Sequence, residues 1–161
     1  MARRIEQRLH DLGLTLPEPL PAPATPLPFP WVRVRGDRAY VSGHGPQNPD
    51  GTTAGPFGKV GRDVTPAEAA ASAELVALAV LGSLKRALGD LDRVGAWVRV
   101  FGMVNVAPGF TDTPFVVNGF SDLILGLWGP EAGAHARSAV GVAELPDDIP
   151  VEVEAEVELT G

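Results

Sequence analysis

The segment His135-Ala-Arg137-Ser-Ala-Val-Gly-Val-Ala-Glu-Leu-Pro146 is followed closely by Pro150-Val-Glu152-Val-Glu154-Ala-Glu156-Val-Glu158. Alternate side chains leave a β-strand on opposite faces, so the second stretch predicts a strand with one apolar face and one face of glutamates. The first stretch predicts a strand with Arg137 near its beginning. The residues that share a face with this arginine are all small: Ala139, Gly141 and Ala143. Residues 145–148 supply the turn between the two strands.

Two interpretations of this strand pair stay open from alternation alone. A guanidinium beside small residues, with a carboxylate across from it, is typical of a pocket for a small carboxylate. The alternative is that Arg137 caps a strand end and that the glutamates form a solvated face.

Composition narrows the class of protein. A length of 161 residues and an apolar content of 45% suit one globular domain. The net charge of −7, with only 13 scattered basic residues, argues against a nucleic-acid binder. We expect no membrane partner, because no run is apolar and long enough to span a bilayer. The absence of cysteine and of a signal-peptide pattern favours a cytoplasmic protein.

The first 30 residues form an extension to a domain that covers residues 31–161. Ile5, Leu9 and Leu12 have helical spacing and predict a short helix within residues 3–13. Seven prolines between residues 17 and 30 then exclude a helix or a central strand, so this stretch should run extended over a surface. Two strands at 31–35 and 38–42 should form a hairpin.

Two long helices and a long strand follow. Thr65 and Glu68 form a capping box for a helix that reaches about Leu88, and Thr113-Pro114 begins a second helix that ends at Leu127 or Trp128. The strand between them is apolar on both faces. We expect Val94, Ala96, Val98 and Val100 on one face and Trp97, Phe101 and Met103 on the other.

The element order β-β-α-β-α-β-β predicts a two-layer α+β domain in which two helices cover one face of a mixed sheet. Because nothing in the chain is left to cover the other face, a neighbouring subunit is the expected cover.

The sequence lacks the patterns of several common kinds of functional site. The three histidines are far apart and there is no cysteine, so no metal site is expected. Residues 55–61 lack the first glycine and the Ser or Thr of a phosphate-binding loop. In Ser42-Gly43-His44-Gly45-Pro46 the glycines would let a ligand approach the backbone, although a strand that ends in a flexible turn explains them equally well.

Together, residues 136–143, 145–146 and 151–155 resemble the Rid (reactive intermediate deaminase) family, also called YjgF-like or endoribonuclease L-PSP. Val41-Ser42-Gly43 and Val117-Asn118-Gly119 are supporting matches, and the resemblance covers about residues 30–160. It implies a chorismate-mutase-like fold and a homotrimer with three clefts between subunits. It also implies hydrolysis of 2-aminoacrylate and related enamines or imines to 2-keto acids and ammonia, with no metal and no cofactor.

The resemblance also implies roles for individual residues. Arg137 matches the arginine that grips the substrate carboxylate, and Glu152 matches the glutamate that orients the hydrolytic water. Ser42, Gly43 and Asn118 match residues that line the cleft. Ala139 stands where many members have a cysteine thought to act through its backbone, so the loss of sulfur need not abolish activity.

The chain departs from the family pattern at the cleft wall. Phe29 and Trp31 occupy the stretch that carries a tyrosine in archetypal members, so the aromatic wall persists without a hydroxyl. His44 replaces a common glutamine and introduces a group expected to titrate near neutrality. With residues 58–61 and 104–112, these departures indicate a divergent subgroup.

Three functions therefore follow as hypotheses. The first is a trimeric enamine or imine hydrolase acting on a small 2-imino acid. The second is a non-catalytic protein that binds a small carboxylate metabolite for regulation. The third is an enzyme of the same fold adapted to another imine-type reaction in a biosynthetic pathway. The acidic balance and the lack of a histidine pair argue against the ribonuclease that the older family label suggests.

Overall fold

Strands and helices follow the predicted order in the computed structural model, which describes residues 3–161. Within that range the elements are α1 (Arg4–Asp11), β1 (Val32–Arg35), β2 (Arg38–His44), α2 (Pro66–Leu88), β3 (Val94–Asn105), α3 (Thr113–Ala132), β4 (Ala136–Val142) and β5 (Val151–Leu159). Short 3₁₀ turns at Leu91–Arg93 and Pro146–Asp148 precede β3 and β5.

The strands form one mixed sheet in the order β1-β2-β5-β3-β4. β3 and β4 are parallel, because α3 carries the chain back between them, and all other neighbours are antiparallel. α2 and α3 cover one face, where the apolar residues of β5 are buried against them. The predicted α+β architecture is confirmed.

The first long helix is built as its sequence predicts. The hydroxyl of Thr65 accepts from the backbone N–H of Glu68 at 3.1 Å, and the Glu68 carboxylate accepts from the Thr65 N–H at 2.9 Å. Gly89 ends the helix in the left-handed conformation, with φ 81°. Contrary to expectation, α2 is long and apolar enough to cross a bilayer by composition, but 67% of its apolar window is buried in the fold. It is therefore the core helix of this domain.

The central strand β3 differs from its predicted alternation. Its pairing with β5 shifts between Trp97 and Arg99, and this bulge turns Trp97 to the helix-covered face. There Trp97 is 2% exposed and packs edge-on against Phe120 and Trp128. The expectation that Trp97 shares a face with Phe101 is therefore wrong, because strict alternation does not survive an inserted residue.

The second long helix also begins differently from its prediction. Thr113 does not cap α3. Its hydroxyl donates to the carbonyl oxygen of Ala139 at 2.9 Å and ties the start of the helix to β4. At the other end, Gly129 has φ 86° and interrupts the helix just before Pro130, as the Gly-Pro pair predicts.

The N-terminal helix is confirmed and is docked on the domain. The backbone N–H groups of Arg4 and Ile5 donate to the carboxylate of Asp92 at 2.8 and 3.0 Å, so a distant side chain caps α1. Ile5 and Leu9 are buried in the common core.

The second face of the sheet carries the glutamates of β5 and has no covering layer in the part of the chain that the structure describes. Glu154 and Glu158 are exposed, whereas Glu152 and Glu156 are half-buried. Phe101 and Met103 lie half-buried among these polar residues. The expected cover by a neighbouring subunit, and the trimer, stay predictions. We call this surface the open face.

The two long helices touch at Gly119, and this contact generates a stability prediction. A Cβ on Gly119 would lie 2.0 Å from the carbonyl oxygen of Ala70, whereas a Cβ on Gly126 of the same helix would meet nothing within 4 Å. Gly119→Ala should therefore lower the free energy of unfolding by about 1–3 kcal/mol through overpacking. Gly126→Ala, the matched control, should leave it unchanged or raise it by up to about 1 kcal/mol. Urea unfolding followed by circular dichroism measures both, and equal effects would contradict the close contact.

Candidate active site

A group of the predicted site residues lines one cavity of about 270 Å³ beside the end of β2. We call these residues the cavity group: Phe29, Trp31, Gly43, His44 and Glu152. Phe29 comes from the N-terminal extension, Trp31 directly precedes β1, Gly43 and His44 are in β2, and Glu152 is in β5. The pairing of β2 with β5 brings Glu152 to the other four, which lie more than 100 residues earlier in the sequence.

A β-bulge in β2 decides which of these side chains faces the cavity. The pairing of β2 with β5 shifts between Val41 and His44, so that Ser42 and Gly43 together oppose one residue. In a regular ladder His44 would lie beside Glu152 on the open face. The bulge turns the histidine to the helix-covered face and leaves the glutamate against Gly43.

Glu152 lies directly on the backbone of Gly43. A Cβ at that glycine would stand 2.9 Å from Oε1 of Glu152, so a larger residue would displace the carboxylate. Burial of the half-exposed side chain, and then the negative charge of Glu154, raise the pKa of Glu152 above its ordinary value. A carboxylate with a raised pKa in a cavity is typical of a group that transfers protons.

His44 is held by the protein at both ring nitrogens. Nδ1 donates to the carbonyl oxygen of Ser42 at 2.5 Å, which leaves Nε2 to accept from the hydroxyl of Ser83 on α2 at 2.8 Å. The pKa of His44 is lowered from 6.5 to about 4, mainly by burial; the bond to Ser42 opposes this shift, and the positive charge of Arg86 adds to it. The imidazole is therefore neutral at pH 7. The expectation that it titrates near neutrality is wrong, because the bulge buries it.

The aromatic wall of the cavity consists of Phe29 and Trp31. Their ring centroids are 5.6 Å apart in an edge-to-face arrangement, and Trp31 lies 5.1 Å from the ring of His44. Ser42 does not line this cavity. Its hydroxyl donates to the carbonyl oxygen of Pro30 at 2.8 Å and fixes the wall to β2. Ser42 instead lines a cavity of about 420 Å³ on the open face.

Arg137 lies at the far edge of the sheet, on β4, where α3 holds its guanidinium. Nη1 donates to Oδ1 of Asn118 at 2.8 Å and to the hydroxyl of Ser121 at 3.1 Å. The hydroxyl of Ser121 in turn donates to Nε2 of His135 at 2.9 Å, and burial lowers the pKa of that histidine. Across residues 3–161, no Asp or Glu forms an ion pair with Arg137. We call these four residues the arginine group.

Ala139 lies two residues beyond Arg137 on β4 and therefore on the same face. It packs against the core, and its carbonyl oxygen accepts the hydroxyl of Thr113.

Arg137 and Glu152 lie on opposite faces of the sheet in one protomer. Arg137 is in register with Val100, which is fully buried under the helices, whereas Glu152 is in register with Met103 on the open face. Two strand spacings, about 10 Å, also separate β5 from β4. One copy of the chain therefore does not bring Arg137 and Glu152 to a common ligand.

Some residues of these groups were missed in the sequence. Ser121 follows Asn118 by one helical turn, so their shared face was a readable signal. His135 directly precedes the strand that carries Arg137, but nothing in its spacing indicated a bond to a helix. Leu20 and Asp147 line the cavity because segments distant in sequence meet there, and no local sequence pattern predicts such a meeting.

Comparisons with known proteins agree with this fold. Residues 6–149 match the family described as "YjgF/chorismate mutase-like, putative endoribonuclease". The chain belongs to this family. Its match begins inside α1, earlier than the resemblance in the sequence suggested.

Similar proteins extend the match to nearly the whole chain. Protein TCP17 of Trypanosoma cruzi is 44% identical over 156 residues, covering 97% of this chain and 94% of that protein. The crystal structure of Atu1372 from Agrobacterium tumefaciens, of unknown function, is 39% identical with a TM-score of 0.85, covering 97% of this chain and 92% of that one. A structure from Shewanella oneidensis called a putative endoribonuclease is 30% identical with a TM-score of 0.87, covering 96% and 99%.

Membership in the YjgF/chorismate-mutase-like family confirms the fold that the sequence predicted. It does not by itself assign a reaction to this chain, since the Agrobacterium relative carries no assigned function and the Shewanella one is named only as a putative endoribonuclease. The choice of reaction therefore depends on the chemistry of the two residue groups.

The lowered pKa of His44 predicts pH-dependent stability. Its pKa falls from 6.5 to about 4 on folding, so protonation favours the unfolded chain. This contribution is complete above pH 6.5 and is lost as the pH falls toward 4. Between pH 7 and pH 4, His44→Gln should lose about 3 kcal/mol less unfolding free energy than the unmodified protein. Urea unfolding across that range measures the difference. Parallel curves for the two proteins would contradict the assignment, because His135 titrates in both.

Proposed function

We propose that the chain hydrolyses 2-imino acids and their enamine tautomers to 2-oxo acids and ammonia. The reaction takes place in a cleft that joins the cavity group of one subunit to the arginine group of a neighbour. The proposal includes a homotrimer, because a cyclic assembly repeats this contact between unlike surfaces and closes.

One observation carries the proposal: the two groups are chemically complementary but separate. In the part of the chain that the structure describes, the cavity is lined by the acidic residues Glu152 and Asp147 and by no Lys or Arg. A carboxylate substrate would be repelled there unless a cation entered from outside. Arg137 is such a cation, since it is positioned by neutral partners and lacks an acidic one.

The arginine group suits the recognition of a carboxylate. Asn118 and Ser121 engage Nη1, and the carbonyl oxygen of Pro114 accepts from Nη2 at 3.4 Å, which fixes the plane of the guanidinium. The Nε–H and one N–H of Nη2 are left for a ligand. A planar guanidinium can hold a carboxylate through two parallel hydrogen bonds, which a lysine cannot reproduce. This arrangement would orient the substrate and present its imine carbon to the cavity.

Glu152 supplies the proton transfers in the proposed reaction. As the oxygen of water bonds to the carbon of the protonated imine, the carboxylate accepts one proton from that water and a neutral carbinolamine forms. The carboxyl group returns this proton to the amino nitrogen, and the C–N bond then breaks with release of ammonia. The hydroxyl proton passes to the carboxylate as the C=O bond of the 2-oxo acid forms, and it leaves with ammonia as ammonium. A raised pKa suits Glu152 to both steps, because a group with a pKa nearer the working pH accepts and returns a proton readily.

A mixing experiment tests whether the site is shared between subunits. Arg137→Ala and Glu152→Gln should each reduce hydrolysis of enzymatically generated 2-aminoacrylate by at least about 100-fold. Co-refolded in equal amounts, the two inactive proteins should recover about a quarter of the unmodified activity, since one cleft in four combines two intact halves. Arg137→Lys should stay inactive.

The outcomes separate the rival hypotheses. No recovery on mixing would contradict a site between subunits. If the unmodified protein binds 2-oxo acids in calorimetry but accelerates no imine hydrolysis, the chain is a carboxylate-binding protein instead. RNA cleavage that is lost in Arg137→Ala would favour the activity named in the Shewanella relative's title.

The negative charge of Glu154, close to Glu152 on the same strand, gives a second test of the proposed function. Activity should fall as the pH drops through the pKa of Glu152, which burial and Glu154 both raise. Glu154→Gln removes one negative charge and should move the acidic limb of the kcat/KM profile to lower pH. Glu158→Gln, an exposed glutamate farther along the same strand, is the matched control and should leave the limb in place. Equal profiles for both variants would exclude Glu152 as the titrating group.

A further inference from the structure

The N-terminal extension forms one wall of the cavity. We call residues 14–30 the strap, because this extended segment crosses from α1 over α2 to the start of β1. Leu14 and Leu16 pack against the core, and the strap then contributes Leu20 and Phe29 to the cavity lining.

Backbone contacts hold the strap firmly in this position. The N–H of Glu18 donates to the carbonyl oxygen of Pro49 at 2.9 Å, and the carbonyl oxygen of Pro17 accepts from Arg86 at 3.3 Å. At its far end, Ser42 donates to Pro30. Because hydrogen bonds hold the strap at both ends, it forms a fixed wall of the cavity.

Glycines on the domain make room for the strap. A Cβ on Gly51, whose φ is 89°, would stand 2.2 Å from the carbonyl oxygen of Pro19. A Cβ on Gly82 of α2 would stand 3.3 Å from the carbonyl oxygen of Pro17. The domain surface is therefore shaped to receive this particular backbone path.

The cavity is chemically one-sided. Its strap side presents the apolar side chains of Leu20, Phe29 and Trp31, and Ile149 continues that surface. Glu152 lies on the sheet side. His44 uses both ring nitrogens within the protein, and the amide of Gln47 donates to the carbonyl oxygen of Gly51. Thr53 and Asp147 also line the cavity, and the carboxylates of Asp147 and Glu152 disfavour an acidic substrate side chain there.

We infer that the strap makes this site selective for 2-imino acids with an apolar side chain larger than a methyl group, and that Leu20 is a specificity-determining residue. This inference rests on the proposed function. The substrate carbon that reacts lies toward Glu152, and its side chain points to the strap. A substrate the size of the alanine-derived imine leaves the apolar wall unfilled, and one derived from glutamate brings a second carboxylate against it.

Kinetic preference tests the inference. Imines are generated from leucine, alanine and glutamate by amino-acid oxidases, and the unhydrolysed imine is trapped with semicarbazide. The unmodified protein should favour the leucine-derived imine over the alanine-derived one by about tenfold or more in kcat/KM, and reject the glutamate-derived one. Leu20→Ala should reduce the leucine-to-alanine preference by about tenfold.

Two further variants keep the result interpretable. Leu27→Ala is the matched control, since Leu27 lies on the same strap, is 40% exposed and does not line the cavity. It should keep the full preference. Leu20→Trp fills the pocket and should reverse the preference while the alanine-derived imine is still hydrolysed, which also shows that the variant is folded.

Failure of this inference is distinguishable from failure of the proposed function. Hydrolysis of all three imines at similar rates, or equal behaviour of Leu20→Ala and Leu27→Ala, would overturn the role of the strap and leave the hydrolase intact. Hydrolysis of none would overturn the proposed function, and the inference would fall with it.

Discussion

Two successive residues of β2, Ser42 and Gly43, oppose a single residue of β5, and the chemistry of the cavity depends on this irregularity. The extra residue sends His44 inward, where α2 supplies a hydroxyl partner and burial keeps the ring neutral. It also places a glycine under the carboxylate of Glu152. Because Gly43 and His44 are adjacent in the bulge, a change that moved one of them would move the other. The bulge therefore links the core of the domain to Glu152, the group proposed to transfer protons.

The sheet itself imposes the second constraint. A single layer of β-structure separates the guanidinium of Arg137 from the carboxylate of Glu152, and the two point away from one another. Proximity in one protomer would let the opposite charges form an ion pair and neutralise each other. Their separation leaves Arg137 without a carboxylate partner in its own protomer, so the proposed activity would depend on assembly.

Local patterns predicted the parts of this molecule that depend on neighbouring residues. The capping box at Thr65 and Glu68, the alternation of β5 and the Gly129-Pro130 break all appear where the sequence places them. The predictions that were wrong for Trp97 and His44 depend on the register between distant strands. The face of Trp97 and the environment of His44 are both decided by bulges, and no composition rule locates an inserted residue.

The candidate site shows the same division. Arg137 and Asn118 were expected to serve one cleft, and the structure joins them in one hydrogen bond. The family resemblance also named Ser42, but its hydroxyl holds the backbone of Pro30 instead of facing the same cavity as Glu152. Leu20 could not be found, because its place follows from the path of a proline-rich segment across an unrelated surface.

The cap on α1 has a consequence for the order in which the chain matures. The helix at residues 4–11 and the segment after it are synthesised before the carboxylate of Asp92 and the carbonyl of Pro49 that receive them. During synthesis these residues lack their native hydrogen-bond partners until the first half of the domain has left the ribosome. Contacts of such long sequence separation slow folding. The helix and the strap would therefore reach their native contacts only after much of the domain that receives them has been made.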